Sequence, residues 1–244
     1  MSQIPAEIQQ LLDAGTHFGT QAKRWNPKMQ KFVFAKRSNV LIIDLEKTME
    51  SLRDAQNYIG KIAAKGGKVL FVGTKRQAQP VIKEVAERVK MPYVTERWVG
   101  GLLTNFDNIR QQVRKFVKMV EKKEKNDFPF YSKKDLVEFE KELEKMRKKY
   151  EGIQTLMDMP AAIFVVDPKQ ETIAVQEAKR MGIPVIALID TDGNPDDVDY
   201  AIPGNDDALK SIRVILDHVA KAFENTQTVV AAAAEVPAAA VAAN

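Results

Sequence analysis

The residues of this chain best suited to chemistry are cationic and aromatic, and they cluster near the N-terminus. One loop reads Lys23-Arg24-Trp25-Asn26-Pro27-Lys28, and residues 21–37 contain no acid. The six cations of this stretch are Lys23, Arg24, Lys28, Lys31, Lys36 and Arg37. Lys and Arg neutralise phosphates, and a Trp ring stacks on exposed bases. The pattern predicts contact with RNA, although a core position for Trp25 is an equally good interpretation.

A second cation beside a tryptophan, Arg97-Trp98, stands just before Gly100-Gly101 and Leu102-Leu103. These small and apolar neighbours favour a core position for Trp98, because a large aromatic ring is more often buried than exposed. Arg97 remains a candidate for phosphate contact. We therefore expect the two members of the pair to have different roles.

The turn Gly73-Thr74-Lys75-Arg76 follows a predicted strand and precedes a predicted helix. Backbone N–H groups at a helix start, with cations beside them, attract phosphate. The turn lacks the Walker spacing and the three-glycine dinucleotide fingerprint. A phosphate of RNA or of a nucleotide fits the pattern, and so does a plain strand-to-helix turn with basic surface residues.

Acidic residues end three predicted strands, at Asp44, Asp167 and Asp190. Ligands bind at the carboxyl ends of strands in open α/β sheets, and the loop from Asp190 has oxygen ligands suitable for a hard cation. Asp is also a common turn and N-cap residue, which is the favoured interpretation. His17 lies in a loop, but without cysteine or a nearby second histidine a zinc site is not expected. We predict no catalytic residues, no metal and no cofactor.

Alternating strands and helices must position these residues. Apolar runs predict strands at 32–34, 40–43, 68–73, 92–94, 161–166 and 185–189. Helices are predicted at 45–64 and 76–89, then up to Met181, and over 206–224. The order predicts an α/β fold with a Rossmann-like or flavodoxin-like, mostly parallel sheet that has helices on both faces.

An antiparallel coiled-coil hairpin is predicted between the two halves of this sheet. Apolar residues recur at spacings of three and four from Phe106 to Val120 and again from Leu136 to Ile153, as in a helical seam. Between the two runs, Pro129 interrupts the helix and Ser132 begins a capping box. We predict an α/β domain over 1–104 and 154–225, the hairpin over 105–153, and a disordered tail over 226–244.

The predicted hairpin carries most of the positive charge of the chain. Residues 110–149 contain 14 Lys and Arg and 8 Asp and Glu, a net charge of +6, whereas the whole chain is +4. Residues 160–210 have the opposite sign, with ten acids and four bases. The excess of positive charge makes a polyanion partner a serious possibility. For any single lysine a solvated helical face is the favoured interpretation, since Lys and Glu form helices well. The acidic part is expected to face solvent or a basic protein.

Composition narrows the class of protein further. The chain of 244 residues has no cysteine, so disulfides, thiolate metal sites and cysteine nucleophiles are excluded. The N-terminus lacks the pattern of a signal peptide, and no apolar run approaches the roughly 20 residues of a membrane span. A cytoplasmic protein is expected.

Several longer motifs, in a fixed order along residues 4–224, resemble a known family. They run from Gly15 through Trp25-Asn26-Pro27-Lys28-Met29 to Ile42-Ile43-Asp44-Leu45, and from Thr95-Glu96-Arg97-Trp98 through Val99-Gly100-Gly101-Leu102-Leu103-Thr104-Asn105-Phe106. Others are Phe71-Val72-Gly73-Thr74-Lys75, Phe164-Val165-Val166-Asp167-Pro168 and Ile202-Pro203-Gly204-Asn205-Asp206-Asp207. The chain is similar to the family of the second protein of the small ribosomal subunit, in its bacterial form. Thr20 stands where members often have a second histidine.

The resemblance implies a structural, non-catalytic protein of the small subunit, which is cytoplasmic and ribosome-bound. Its implied partners are 16S ribosomal RNA and neighbouring small-subunit proteins, including the large first protein, which it helps to hold. No membrane or small-molecule partner is implied. The RNA-contact residues expected by motif are Lys23, Arg24, Trp25, Lys28, Lys31, Lys36, Arg37, Lys75, Arg76, Arg97, Asn105, Arg110 and Arg114.

Two alternatives from other classes remain at this point. The first is an α/β enzyme or nucleotide-binding protein that uses Gly73-Thr74-Lys75 and Asp190 to hold a phosphate ligand. The second is a helical adaptor whose hairpin contacts only proteins. Calorimetry with nucleotides and sugar phosphates, with and without magnesium, tests the first. Deleting Ile109 to Tyr150 tests the second, which predicts loss of partner binding with RNA binding unchanged.

Overall fold

The computed structural model describes residues 5–128 and 131–234. Within these ranges the α-helices are α1 (Ala6–Asp13), α2 (Leu45–Ala64), α3 (Gln79–Arg88), α4 (Phe106–Glu124), α5 (Lys133–Tyr150), α6 (Thr172–Met181) and α7 (Leu209–Ala234). The strands are β1 (Phe18–Gln21), β2 (Val33–Arg37), β3 (Val40–Ile43), β4 (Val69–Val72), β5 (Tyr93–Val94), β6 (Ala162–Val166), β7 (Val185–Ile189) and β8 (Tyr200–Pro203).

The main sheet has five parallel strands in the order β5-β4-β6-β7-β8. Numbered within the sheet, this is the order 2-1-3-4-5 of flavodoxin-like folds. The order reverses between β4 and β6, so the turns after these strands lie side by side at the carboxyl edge. The predicted α/β fold with a parallel sheet is confirmed.

Alternating residues of each central strand pack on opposite faces of the sheet, because side chains of a strand alternate in direction. Phe71 and Phe164 belong to one apolar cluster, which contains residues of α2, α3 and α7. Leu70 and Ile163 belong to a second cluster, which contains residues of α4, α5 and α6. Both faces are thus covered by helices, which is why the strands are apolar throughout rather than alternating.

The helical hairpin has the caps that its sequence predicts. The Ser132 hydroxyl accepts a hydrogen bond from the Asp135 N–H, and the Asp135 carboxylate accepts one from the Ser132 N–H, a complete capping box. Val113, Phe116 and Leu143 are buried along the seam. The same cluster contains Trp98 and strand residues of the main sheet, so the base of the hairpin also covers one sheet face. The predicted break at Pro129 lies outside the described residues.

Two strands were missing from the sequence prediction, and both have polar or short sequences. β1 pairs antiparallel with β3, which also pairs with β2, to give a three-stranded sheet in the order β1-β3-β2. β8 lies at the edge of the main sheet beside β7. Their lack of a clear apolar period explains why local pattern alone did not indicate them.

The last helix differs from its prediction at both ends. α7 begins at Leu209 rather than at 206, and in the turn before it the Asn205 side chain accepts hydrogen bonds from the N–H groups of Asp207 and Ala208. It continues to Ala234, beyond the predicted end at 224 and into the stretch assigned to a disordered tail. Residues 235–244 of that stretch lie outside the described part of the chain.

Candidate nucleic-acid interface

The N-terminal basic segment, residues 21–37, presents its cations to solvent. Its six cationic side chains, all on exposed residues, are Lys23, Arg24, Lys28, Lys31, Lys36 and Arg37. Among the residues that the structure describes, only Lys28 of this set forms an ion pair, with Asp196 at 2.6 Å. The other five cations form no ion pair in that part of the chain, and Lys31 only adds to the attraction by which Lys28 lowers the pKa of Asp196. A surface of unpaired cations attracts phosphate, because no internal carboxylate has to be displaced.

The loop of this segment is attached to the acidic loop after β7. The Asn26 N–H donates to the Thr191 carbonyl at 2.8 Å, and the Asn26 side chain accepts from the Lys28 N–H at 3.0 Å. The Lys28–Asp196 ion pair joins the same two loops. Trp25, which lies next to this anchor, is half-buried. The loop is therefore held in place by hydrogen bonds.

Two exposed phenylalanines were not singled out by the sequence analysis. Phe34 in β2 has 75% of its surface exposed and Phe18 in β1 has 50%, both more than Trp25. Trp98, by contrast, is buried and its indole N–H donates to Glu177, so the predicted core position of Trp98 is confirmed. The missed strand β1 explains why Phe18 was overlooked.

Lys75 has a different environment from that of the other predicted RNA contacts. Its ammonium lies 2.7 Å from the Asp167 carboxylate, 2.7 Å from Asp206 and 2.8 Å from Asp207. Only 13% of its side chain is exposed. Asp167, directly after β6, has a left-handed φ of 62°, which is a strained conformation for a residue other than glycine. It lies at the point where the strand order of the sheet reverses, between β4 and β6. We call these four residues the Lys75 cluster.

The protonation of the Lys75 cluster follows from burial and proximity. Burial alone would lower the pKa of Lys75, but the attraction of Asp206 and hydrogen bonds to all three carboxylates outweigh it and raise that pKa. Burial and repulsion from Asp167 raise the pKa of Asp206 to about 8, against the pull of Lys75. The Lys75 ammonium is therefore paired with internal carboxylates and is not available to bind RNA phosphate.

The anion-binding position of the turn after β4 is also filled from within the protein. The Thr74 N–H and hydroxyl both donate to one oxygen of Glu171, at 2.7 and 2.6 Å. Glu171 is buried, and burial raises its pKa. A phosphate at this turn would have to displace a carboxylate that already accepts the N–H group. This geometry counts against the nucleotide-binding alternative.

Asp190, at the end of β7, is a buried carboxylate with several internal donors. It accepts from the N–H of Thr20 at 3.2 Å and from the hydroxyl of Thr191 at 3.1 Å. Burial raises its pKa from 3.8 to about 6. Asp190, Asp206 and Asp207 have carboxylate oxygens within 4.8 Å of one another, a spacing that suits a hard cation. The Lys75 ammonium already supplies a positive charge to two of the three.

Replacing Asp190 by Asn is expected to stabilise the fold by about 3 kcal/mol near pH 7, since its pKa is raised from 3.8 to about 6 and one pKa unit corresponds to about 1.4 kcal/mol. The folded pKa of Asp190 lies above its ordinary 3.8, so the folded wild type loses stability as pH rises from 3.8 to about 6. Asp190→Asn has no carboxyl to ionise at this position, so its stability does not fall in this pH range. Its advantage should be absent near pH 4 and constant above pH 6, as measured by urea unfolding at each pH.

The control for this prediction is Asp54→Asn, which changes an exposed carboxylate of α2 that forms no ion pair with the described residues. It should leave the pH dependence unchanged. A destabilised Asp190→Asn variant at pH 7 would contradict the expectation.

The two histidines do not complete a metal site within the described residues. His218 in α7 is buried, and burial lowers its pKa. His17 packs its ring 4.0 Å from that of Phe18, and burial lowers its pKa as well. No described cluster of possible ligands includes either histidine.

One cavity lies at the carboxyl edge of the main sheet, between α6 and the loop after β7. It measures about 240 Å³ and is lined by, among others, Lys169, Lys179, Asp192 and Asp197. Ligand pockets usually measure about 300–1,000 Å³ and are mainly apolar. Both lysines are already in ion pairs, Lys169 with Asp192 and Lys179 with Asp197. The cavity therefore offers little to a small-molecule substrate.

The remaining predicted contacts lie outside the basic segment, and most are exposed. Arg76, Arg97, Asn105 and Arg114 are exposed, and Arg110 is half-buried. Arg110 pairs with Asp107 at 3.3 Å in the first turn of α4. Arg114 has no ion pair with any described residue. On the hairpin, Lys115–Glu142 and Lys123–Glu140 ion pairs join the two helices.

Glu177 in α6 is a structural residue that sequence analysis missed. Its buried carboxylate accepts from the Trp98 indole at 3.0 Å and from the N–H of Gly101 at 2.7 Å. It also accepts from the N–H of Leu103 at 3.0 Å and from the N–H and hydroxyl of Thr104, each at 3.2 Å. These residues form the loop that leads into α4. Glu177 therefore sets the position from which the hairpin leaves the sheet.

Two further findings complete the description of the chain. None of the helices in the described ranges has the length and apolar character needed to cross a membrane. The model of a family described as Ribosomal protein S2 matches residues 11–226, which is most of the chain. The match includes the basic segment, the Lys75 cluster and the whole hairpin.

Proposed function

This chain belongs to the ribosomal protein S2 family, and from that membership we propose that its basic surfaces bind it to 16S ribosomal RNA. The family is a structural, non-enzymatic kind of small-subunit ribosomal protein that acts in translation. The proposal concerns what this chain does there: it uses unpaired cations to dock on folded RNA. The ribosome-bound, cytoplasmic location is that of the family.

The observation that carries the proposal is the set of unpaired cations in the basic segment. Five exposed cations of this segment form no ion pair among the described residues, namely Lys23, Arg24, Lys31, Lys36 and Arg37. Elsewhere on the α/β body many surface cations are paired, as Arg213 is with Glu84 and Arg88 with Asp217. Unpaired cations concentrated on one segment are typical of phosphate-binding surfaces.

The proposed RNA-contact residues are the exposed cations with their polar and aromatic neighbours. They are Lys23, Arg24, Trp25, Lys28, Lys31, Lys36, Arg37, Arg76, Arg97, Asn105, Arg110 and Arg114. Lys75 is left out, because three carboxylates already neutralise its charge. We propose that Lys75 stabilises the fold instead of binding RNA.

The further proposals concern organisation and protein partners. We take the α/β body and the hairpin as two parts with separate roles, one anchoring the basic segment and the other reaching away from it. Support for the large first protein of the small subunit is proposed from the family resemblance. The acidic stretch 160–210 has the charge to face a basic protein rather than RNA.

The affinity of the protein for small subunits depleted of it should fall steeply as salt rises, because phosphate contacts release counterions. The double change Lys23→Ala with Arg24→Ala should weaken binding about tenfold or more. It should also reduce the slope of log K against log salt by about 2, roughly one per lost phosphate contact. Co-sedimentation across a KCl series measures both quantities.

The matched control is Lys61→Ala with Lys65→Ala, two exposed cations of the α2 end that form no ion pair with described residues. This pair removes the same charge from a different surface. Equal losses in the two double variants would show a general charge effect, and salt-independent binding of the wild type would refute the proposal.

A further inference from the structure

Within the hairpin, the charge distribution separates α4 from α5. The 13 residues 108–120 of α4 contain four cations and no acid. The 13 residues 133–145 of α5 contain four cations and five acids. This stretch of α4 thus has a net charge of +4, and the stretch of α5 a net charge of −1.

The α4 cations also share one face of the helix. Arg110, Arg114 and Lys118 are spaced by four residues, so they lie in a row about 6 Å apart, since an α-helix rises about 1.5 Å per residue. The seam residues Val113 and Phe116 are buried on the other side, against α5 and the sheet. Asp107 and Glu121 mark the two ends of the row.

Arg114 and Lys118 are exposed and form no ion pair with any residue the structure describes. Lys115, which lies beside the row, is different, because it pairs with Glu142 of α5 at 2.7 Å. Lys115 is therefore used within the hairpin, whereas Arg114 and Lys118 form no ion pair there.

The end of α5 has three cations of its own, but their surroundings are mixed. Arg147, Lys148 and Lys149 line a cavity together with Glu96, Glu144 and Glu151. Cations in the last turn of a helix also interact favourably with the helix dipole, which accounts for them without a ligand. In the row on α4 only Arg110 pairs with a carboxylate, that of Asp107 at 3.3 Å, and Arg114 and Lys118 pair with none in the described ranges.

We propose that the row Arg110, Arg114 and Lys118 binds successive phosphates along one RNA strand, and that the outer face of α5 does not contact RNA. The inference rests on the proposed function, since it concerns which face of the hairpin meets the ribosomal RNA. A line of regularly spaced cations, of which Arg114 and Lys118 have no ion pair with a described residue, fits a backbone and not the base edges, so the contact is independent of base sequence.

The test compares two matched double variants of the full-length chain. Arg114→Ala with Lys118→Ala removes two exposed, unpaired cations of α4 at a spacing of four residues. Lys141→Ala with Lys145→Ala removes two exposed cations of α5 at the same spacing, and these also lack an ion pair within the described ranges. We expect about tenfold weaker binding to depleted small subunits, and a salt slope smaller by about 2, for the α4 pair only.

A second measurement separates RNA contact from protein contact. The chain has no cysteine, so Gln111→Cys on the α4 face and Val137→Cys on the outer part of α5 each give a single attachment point. An iron chelate tethered at position 111 should cleave ribosomal RNA in the assembled subunit, and one at position 137 should not.

Each outcome has a distinct meaning. Stronger cleavage from position 137, or an α5 pair that weakens binding as much as the α4 pair, would overturn the inference and leave the proposed function intact. Unaltered binding of both pairs, with no cleavage from either position, would show that the hairpin does not meet RNA. Wild-type protein that fails to bind depleted subunits would refute the proposed function itself.

Discussion

Replacing Lys75 by Met is expected to lower the free energy of unfolding by about 3–5 kcal/mol at neutral pH, the usual cost of removing one member of a buried ion pair. Met keeps most of the side-chain volume but leaves Asp167 and Asp206 facing each other without a cation. Only 4% of the Asp206 side chain is exposed. Urea unfolding followed by circular dichroism measures the loss.

The stability lost in Lys75→Met should depend on pH, because the buried carboxyl of Asp206 titrates. The pKa of Asp206 is already raised to about 8 in the presence of Lys75. Without the ammonium the pKa of this carboxyl rises further, so above pH 8 the wild type ionises Asp206 and the variant does not. The loss caused by Lys75→Met should therefore stay constant below pH 8 and grow as pH rises above it. Adding Asp206→Asn to Lys75→Met should restore part of the stability at pH 7.

The control is Arg76→Ala, which removes the next residue, an exposed cation. Its effect on unfolding should stay within about 0.5 kcal/mol, as for most surface substitutions. Its effect on RNA affinity should exceed that of Lys75→Met, measured on variant protein that is still folded. A Lys75→Met variant with wild-type stability would show that the carboxylates do not depend on the ammonium.

Glu177→Ala is expected to destabilise the fold by about 3–5 kcal/mol, because several buried donors lose their acceptor at once and each unsatisfied group costs about 1–3 kcal/mol. The loop from Trp98 to Thr104 then loses its anchor to α6. We expect the hairpin to be cut by protease sooner than the rest of the chain. Urea unfolding and limited proteolysis measure the two effects.

The acid sensitivity of wild type and variant should also differ. Burial would raise the pKa of Glu177, but hydrogen bonds from the Trp98 indole and three backbone N–H groups hold it below its ordinary 4.5. Its stabilising effect is therefore present above about pH 4.5 and is lost as pH falls through the folded pKa. The gap between wild type and variant should narrow in acid.

Gln176→Ala is the matched control, since it changes the preceding residue of α6, whose side chain is exposed. It should unfold like the wild type. If Glu177→Ala shifted only stability and left the proteolysis of the hairpin unchanged, then Glu177 would not position the hairpin.

The contrast between Lys75 and Arg76 illustrates the limit of reading function from local sequence. Both follow the same strand, and both were predicted to contact phosphate. Their neighbours in sequence are nearly identical, but Lys75 points to carboxylates that lie 92, 131 and 132 residues away. Sequence pattern describes residue types within a few turns, and it does not describe which distant loops meet.

The sequence by itself determined the parallel sheet, the helical hairpin with its capping box and the exposed basic segment. Each depends on a local pattern within a short stretch of sequence. Apolar runs predict the strands, apolar residues spaced by three and four predict the hairpin, and cations without nearby acids mark the basic segment. The tertiary structure alone decided which cations are free. It placed Glu171 on the Thr74 N–H and three aspartates on Lys75, because the reversal point of the sheet brings loops distant in sequence to one edge.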